Sequence, residues 1–361
     1  MINLSNRDEY LKFGRKPGFI MDRSEKKVFI VAEIGINHNG DMGLARDSII
    51  AAAEAGADSV KFQNYKTEDF ITDRNLLFEY PSQGKTIKEP QYDMFKRCEL
   101  TRDQLSYLKE QCDLAGVLFH STPTSVEGIG DLQAIGCQLL KNGSDYLTNL
   151  RLVRTMGETG LTTILSTGMA TLSEIDDAVR AFRETGNENL ILLHCTSSYP
   201  TPAEDVNLAC ISTLREAFNV EVGFSDHTNG TTAAVGATIL GSRWIEKHFT
   251  LSKDLPGPDH WFSMDALELR QLVASVRAAE KMLGASVVGP APSESLGRRD
   301  FRLSCVAARD ISKGESVKLS DIAFQRPGDG IAPIHEGMLV GLKLTREIKK
   351  GQKFEKAHFD G

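Results

Sequence analysis

The sequence predicts an α/β protein: a (β/α)₈ TIM barrel followed by a small, β-rich C-terminal domain. Three observations predict it. From about Val28 to about Leu283, short β-branched runs alternate with amphipathic helical stretches, as in a parallel sheet with crossover helices. Eight such units over roughly 250 residues match the usual size of a closed barrel. A Pro/Ser/Gly-rich stretch, VVGPAPSESLGRRD, then separates this region from a tail too short to bury much core by itself. An open, doubly wound sheet is the structural alternative.

The expected strands are Val28–Ile34, Ser59–Gln63, Val117–Ser121, Leu139–Lys141, Thr163–Ser166, Leu190–Cys195, Glu221–Ser225 and Trp244–His248. Helical patterns between them include Gly43–Ala55, Arg102–Ala115, Ser173–Thr185 and Ala209–Phe218. Residues 1–27 precede the barrel as an arm, and the barrel domain spans 28–286. Within it, residues 64–99 are long for a strand-to-helix connection and rich in charge, Pro and Gly. Loops of that length are seldom idle, so a lid or wall over the barrel mouth is expected. Residues 287–300 read as a linker and 301–361 as the second domain. There ARDISKGESVKLSDI and TREIKKGQKFEKAHF repeat one pattern, an apolar run, a Lys-Gly turn and another run. Pseudo-symmetric turns follow.

The bulk numbers narrow the function. With 361 residues, 41% hydrophobic and 25% charged, the chain has the composition of a globular enzyme. A net charge of −7 argues against a nucleic-acid or anionic-membrane partner. An anionic substrate must then be held by a local cluster of cations. The six cysteines are scattered without a CxxC pair, which reads as free thiols in a reducing cytoplasm. The N-terminus lacks an apolar signal region and no apolar run reaches membrane-spanning length, so a soluble cytoplasmic protein is expected.

Barrel enzymes carry their chemistry at the carboxyl ends of the strands. The first strand runs into AEIGINHNG with Glu33, Asn37 and His38, and the second ends with Lys61 and Gln63 on one face. The third carries Ser121 and Thr122, the fourth Lys141 and Ser144, and the fifth Ser166. Tyr199 follows the sixth, Ser225 and His227 share a face of the seventh, and Glu246 and His248 share a face of the eighth. A lone lysine or histidine in such places is commonly a packed or solvated residue. Two lysines and several hydroxyls on one rim are different, because burying a lysine unpaired is costly. They point to a ligand bearing phosphate and carboxylate. His227 and His248 lie on adjacent strands about 4.8 Å apart, close enough to share one ion with coordination positions left open. Such a pair suits Mn²⁺, Fe²⁺, Co²⁺ or Zn²⁺. Asp226 and Glu246 are candidates for orienting those ligands or binding substrate hydroxyls. His194, inside LILLHC, reads equally as structural or functional.

Together these segments resemble the sialic acid (nonulosonic acid) synthase family from about Lys27 onward. The matching segments are AEIGINHNG, VKFQ, STPTS, LKNGS, LSTGM, LHCTSSYPTP, GFSDHT, IEKHFT and GPDHWFS. AARDISKGE and QRPGDGIAP are similar to that family's antifreeze-like (SAF) domain. The resemblance implies a transferase that condenses phosphoenolpyruvate with an N-acyl amino sugar. It implies that Lys61, Gln63, Thr122, Lys141, Ser144, Ser166 and Ser225 line the phosphoenolpyruvate site, and that Glu33 is the catalytic carboxylate. His227 and His248 would hold a divalent metal, Mn²⁺ in many relatives, while Tyr199, Glu246 and Asp259 would contact the sugar. Arg326 would reach the N-acyl group from a partner chain across a domain-swapped homodimer.

N-acetylmannosamine, giving N-acetylneuraminate, is the first substrate expected. The alternative is a 2,4-diacetamido-trideoxy hexose, giving a legionaminate or pseudaminate. Ser197 of CTSSYP stands where neuraminate synthases tend to carry Asn, and SQGKTIKEPQ lacks an expected Gly-Asn, and both favour the alternative. Two rivals remain. One is a barrel condensing phosphoenolpyruvate with an aldose phosphate, and the other is a non-catalytic carbohydrate-binding protein.

Overall fold

The computed structural model describes residues 19–20 and 27–359. Most of the expected N-terminal arm therefore lies outside the described residues. The chain divides into two compact units, Met1–Gly284 and Ala285–Gly361.

The first unit is a closed barrel of eight parallel strands, in the order β1-β10-β9-β8-β7-β6-β5-β2. In chain order these are β1 (Phe29–Gly35), β2 (Ser59–Asn64), β5 (Leu118–Pro123), β6 (Leu139–Asn142), β7 (Thr162–Ser166), β8 (Leu190–Cys195), β9 (Glu221–Asp226) and β10 (Trp244–His248). A hairpin, β3 (Leu77–Ser82) and β4 (Lys85–Pro90), interrupts the series after β2. The helices are α1 (Met42–Ala55), α2 (Gln91–Lys96), α3 (Arg102–Ala115), α4 (Val126–Ala134), α5 (Leu150–Glu158), α6 (Leu172–Arg183), α7 (Cys210–Phe218), α8 (Thr232–Ile239) and α9 (Ala266–Leu283). All eight expected strands form, within two residues of their expected ends.

Local chemistry starts and stops these helices where the sequence says. Thr101 accepts from the backbone of Gln104, whose side chain returns the bond, and Gly116 ends α3 at φ +74°. The period of two then sorts each strand into two faces. On β1, Ile30, Ala32 and Ile34 face the helices and join the large outer core. Val31, Leu139, Ile164, Ile191, Leu193 and Trp244 face inward and form a separate apolar plug. Phe19 packs against it, its ring centroid 5.1 Å from that of Phe29. The residues one step further along the same inward faces are the polar ones.

The second unit has its own small core around Cys305, Ile311, Val317, Leu344, Ile348 and Phe354. It contains α10 (Ser295–Asp300) and a two-stranded sheet of β11 (Ser304–Ala307) with β12 (Ile322–Gln325). The two repeats pair with each other: Ile311 and Ile348 exchange backbone hydrogen bonds, and each Lys-Gly turn places its glycine at positive φ, Gly314 at +91° and Gly351 at +81°. The stretch read as a linker, 287–300, holds a short 3₁₀ turn at Pro292–Glu294 as well as α10. No helix among the described residues is long and apolar enough to cross a membrane.

Candidate active site

A cavity of about 670 Å³ opens at the carboxyl ends of the barrel strands and is lined by residues of the barrel unit alone. Glu33, Lys61, Gln63, Thr122, Lys141, Ser144, Ser166, Tyr199, Ser225, His227, Glu246, His248 and Asp259 all line it. Parallel pairing explains the convergence. Glu33 stands opposite both Lys61 and His248 in the ladder, Gln63 opposite Thr122, and Ser225 opposite Glu246. Inward faces of neighbouring strands thus arrive at the rim together.

At the floor sits a four-charge cluster. Lys61 Nζ lies 2.9 Å from Glu246 Oε1 and 3.5 Å from Glu33 Oε2. Lys141 Nζ lies 3.8 Å from Glu246 Oε1 and donates to Ser166 Oγ at 2.6 Å. Ser225 Oγ donates to Glu246 at 3.1 Å, and Gln63 Nε2 to Glu33 at 3.2 Å. All four charged side chains are buried, so their protonation follows from their neighbours. Burial pushes the Glu33 carboxyl up to about 7, with Lys61 opposing and Glu246 adding to the rise. Burial also disfavours charge on Glu246, but Lys141 and Lys61 outweigh it and hold that carboxyl well below its usual range. Burial lowers Lys141, whereas for Lys61 the two glutamates win and raise it. Two carboxylates in one cluster are thereby pushed apart, the pattern that separates acid and base roles.

The backbone makes room for this arrangement. The β1–β2 register shifts between Glu33 and Gly35, and Gly35 has φ +54°. A Cβ there would stand 3.1 Å from Glu33 Oε1. Gly168, past β7, is packed more closely still, since its Cβ would fall 2.4 Å from Ser197 Oγ and 2.8 Å from Ser144 Oγ. That position has no space for a side chain.

Beside the cluster, the His227 and His248 rings lie 5.4 Å apart. His227 Nδ1 is 2.8 Å from the Thr196 carbonyl, which fixes a hydrogen there and turns Nε2 towards Ser225 Oγ at 3.5 Å on the cavity side. His248 Nδ1 is buried without a hydrogen-bond partner, 3.8 Å from Asp259 Oδ2. Burial and the neighbouring His227 keep His248 neutral, the form that ligates. These features fit a divalent cation held by two imidazoles. No group of three or more His, Cys, Asp or Glu suited to an ion occurs among the described residues. Burial raises Asp259 to about 6. Tyr199, on a cis Tyr199–Pro200 bond, packs 4.1 Å from the His227 ring.

The remaining residues divide between the floor, the outer face of the barrel and the loops. Glu246, expected among the sugar contacts, lies at the floor as the shared counter-charge of both lysines. Asp226 points out of the barrel to Lys247 Nζ at 3.0 Å, because its neighbours Ser225 and His227 take the inward positions. His194 also points outward, bonded to the Val206 carbonyl at 2.6 Å and stacked on Phe224. Asn37 bonds Phe249 and Ser263, and His38 accepts from Gly40, so both brace the loop after β1. Arg326 belongs to the second unit, where Nε donates to the Phe301 carbonyl at 3.1 Å. It is not part of the cavity lining. The sequence reading missed Asp145, Cys195, Trp261, Phe262 and the wall contributed by Phe78 and Tyr80. GPDHWFS had marked the aromatic pair, but nothing in the strand pattern located the hairpin.

Comparison with known proteins identifies the family. Residues 48–288 match the NeuB family and residues 304–360 the SAF domain. The N,N'-diacetyllegionaminic acid synthase of Legionella pneumophila is 39% identical over 91% of this chain and 93% of its own. The pseudaminic acid synthase of Campylobacter jejuni (serotype O:23/36) is 36% identical over 93% of this chain and 98% of its own. The crystal structure of a sialic acid synthetase from Leptospira borgpetersenii superposes with a TM-score of 0.69 at 33% identity, covering 78% of this chain and 95% of that one. A polar rim built on eight parallel strands, a family match across most of the barrel and relatives matched along nearly their whole length lead to one assignment: the chain is a member of the NeuB family and carries a SAF domain.

Proposed function

We propose that this protein is a nonulosonic acid synthase that condenses phosphoenolpyruvate with a 2,4-diacetamido-2,4,6-trideoxy hexose, releasing phosphate and a nine-carbon 2-keto acid. The observation that carries the reaction is the pairing of Lys61 and Lys141 with Glu33 and Glu246 at a buried floor beside two imidazoles 5.4 Å apart. The sugar is inferred from two supports. Relatives named for legionaminic and pseudaminic acids align over nine-tenths of the chain. The cavity lining includes Phe70, Phe78, Met94, Phe95, Trp261 and Phe262, which suit methyl groups better than the hydroxyls of N-acetylmannosamine.

In this reading the two ammonium groups and the Ser144, Ser166 and Ser225 hydroxyls take the phosphate and carboxylate of phosphoenolpyruvate. His227 and His248 hold the divalent ion, with Mn²⁺ the first candidate. When bound, it supplies Lewis-acid polarisation of the open-chain aldehyde. C3 of phosphoenolpyruvate forms the new bond to that aldehyde carbon, and the aldehyde oxygen takes up a proton. Water then adds to C2, and Glu33, whose ionisation falls near neutrality, orients it and accepts its proton. The bond from C2 to the phosphate oxygen breaks, phosphate leaves with that oxygen and takes up the proton of the C2 hydroxyl, and C2 becomes the ketone. Tyr199 and Asp259 position the sugar beside the imidazoles.

The proposal includes a homodimer in which Arg326 serves the cavity of a second copy. Its support is the apolar surface of the SAF unit, where Ile334 is 86% and Met338 71% exposed. Sedimentation that finds only monomers would contradict it.

The test is a substrate panel with phosphoenolpyruvate and mass spectrometry of the product. The diacetamido sugar should give a nine-carbon keto acid with the highest kcat/KM. Turnover of pentose or tetrose phosphates alone would overturn the assignment, and tight sugar binding without turnover would favour a carbohydrate-binding protein.

A further inference from the structure

The segment between β2 and α2 does more than span a gap. Phe78, Glu79, Tyr80 and Pro81, consecutive on β3, line the cavity, and Phe78 is 38% exposed where Glu33 and Lys61 are 2% and 5%. We propose that this hairpin is the specificity element for the far end of the sugar, reading carbon six as a methyl group rather than a hydroxymethyl. The inference rests on the reaction proposed above and adds to it the residues that choose the substrate.

Three features of the hairpin carry the argument. First, the Tyr80 hydroxyl is already engaged within the protein. Tyr80 is 6% exposed and its hydroxyl donates to Glu89 across the hairpin. Both Glu89 oxygens are in turn held by the Arg97 guanidinium at 2.6 Å each. Glu79 lies 3.8 Å from Lys88 on the opposing strand. The Phe78 and Tyr80 rings, 5.8 Å apart, are left as an apolar face.

Second, the hairpin is tied at both ends. Arg97 secures its base, while Ser82 Oγ accepts from the Gly257 backbone at 3.2 Å and Gln83 Nε2 donates to the Asp254 carbonyl at 3.0 Å. The loop it grips continues directly into Asp259. A wall fixed in this way needs little ordering when a ligand arrives.

Third, the reacting end of the sugar is fixed elsewhere. The aldehyde carbon has to meet phosphoenolpyruvate at the floor, beside Glu33 and the imidazoles. An extended six-carbon chain starting there directs its far carbons away from the buried floor, towards the exposed side of the lining to which Phe78 belongs.

A hydroxyl pressed against this face loses water and gains no partner. Apolar sites reject an added hydroxyl only moderately, by about tenfold to a hundredfold. That range sets the expected effect.

The experiment compares kcat/KM for N-acetylmannosamine and its 6-deoxy analogue, which differ at carbon six alone. The unmodified protein should prefer the deoxy sugar by about ten- to a hundredfold. Phe78→Asn, at a partly exposed position, supplies a donor and an acceptor and should shrink that preference to about threefold or less. Tyr80→Phe should leave the preference intact, because its hydroxyl is spent on Glu89. Equal use of both sugars, a Phe78→Asn change that affects both alike, or a Tyr80→Phe variant that loses the preference would each overturn the inference. If no sugar in the panel yields a nine-carbon acid, the reaction assignment itself fails and takes this inference with it.

Discussion

Two residues along a strand separate the most apolar part of this barrel from its most polar. On β1 the step is from Val31 to Glu33, on β6 from Leu139 to Lys141, on β7 from Ile164 to Ser166, and on β10 from Trp244 to Glu246. The lower residues form an apolar plug in which Trp244 stacks on Phe29 at 4.5 Å. The upper ones bury two lysines and two glutamates. Parallel strands make this division possible, because every carboxyl end arrives at the same rim. Burying charges is costly even when they are paired. The plug and the outer helical core supply the stability that lets the rim be built for chemistry instead. The two halves should therefore answer differently to substitution.

The largest expected effect is at the rim. Glu33→Gln should lower turnover by about a thousandfold or more while leaving phosphoenolpyruvate affinity nearly unchanged, as calorimetry and initial rates would show. A near-normal rate would remove Glu33 from the mechanism.

The same variant sharpens the comparison through stability. The Glu33 carboxyl rises from 4.5 to about 7 on folding, so the fold favours its protonated form. Its contribution to stability is fully present below the unfolded value and is lost as pH climbs through the folded one. Glu33→Gln should thus be more stable than the parent near pH 8.5, with the gap closing below about pH 4.5. Denaturant titrations at both pH values check this, and a variant less stable at high pH would contradict it.

A smaller effect, of the opposite kind, is expected in the plug. Gly223 lies so close to its neighbours that a Cβ would stand 2.5 Å from both Leu193 Cδ2 and Trp244 Cβ. Gly223→Ala should cost about 1–3 kcal/mol of stability while the folded fraction keeps its kcat/KM. A loss of activity without a loss of stability would blur the division between the halves.

How much of this was legible in the sequence follows the same physics. The strands and their inward residues could be read because the period of two is local. Ser225 and His227, or Glu246 and His248, announce a shared face without any structure. The same rule, applied to Asp226 and His194, would have turned both outward. What sequence could not carry was distance across the barrel. The ion pair of Glu246 with Lys61, for example, exists only because β10 and β2 both pair with β1. The hairpin was hidden for another reason. Its residues, LFEYPSQGKTIKEP, alternate weakly, contain two prolines and carry charge on both faces, so the run read as a long loop. Only its position over the cavity shows why Phe78 and Tyr80 are aromatic.

One measurement tests the central claim most directly, namely that the rim holds phosphoenolpyruvate so that water attacks C2. Phosphoenolpyruvate labelled with heavy oxygen at the bridge between C2 and phosphorus is turned over with the diacetamido sugar, and both products are weighed. Label in the released phosphate, with none in the nine-carbon acid, is the predicted result. Label retained in the keto acid would mean that the phosphorus–oxygen bond breaks instead, and the roles given to Glu33 and the lysine floor would have to be abandoned.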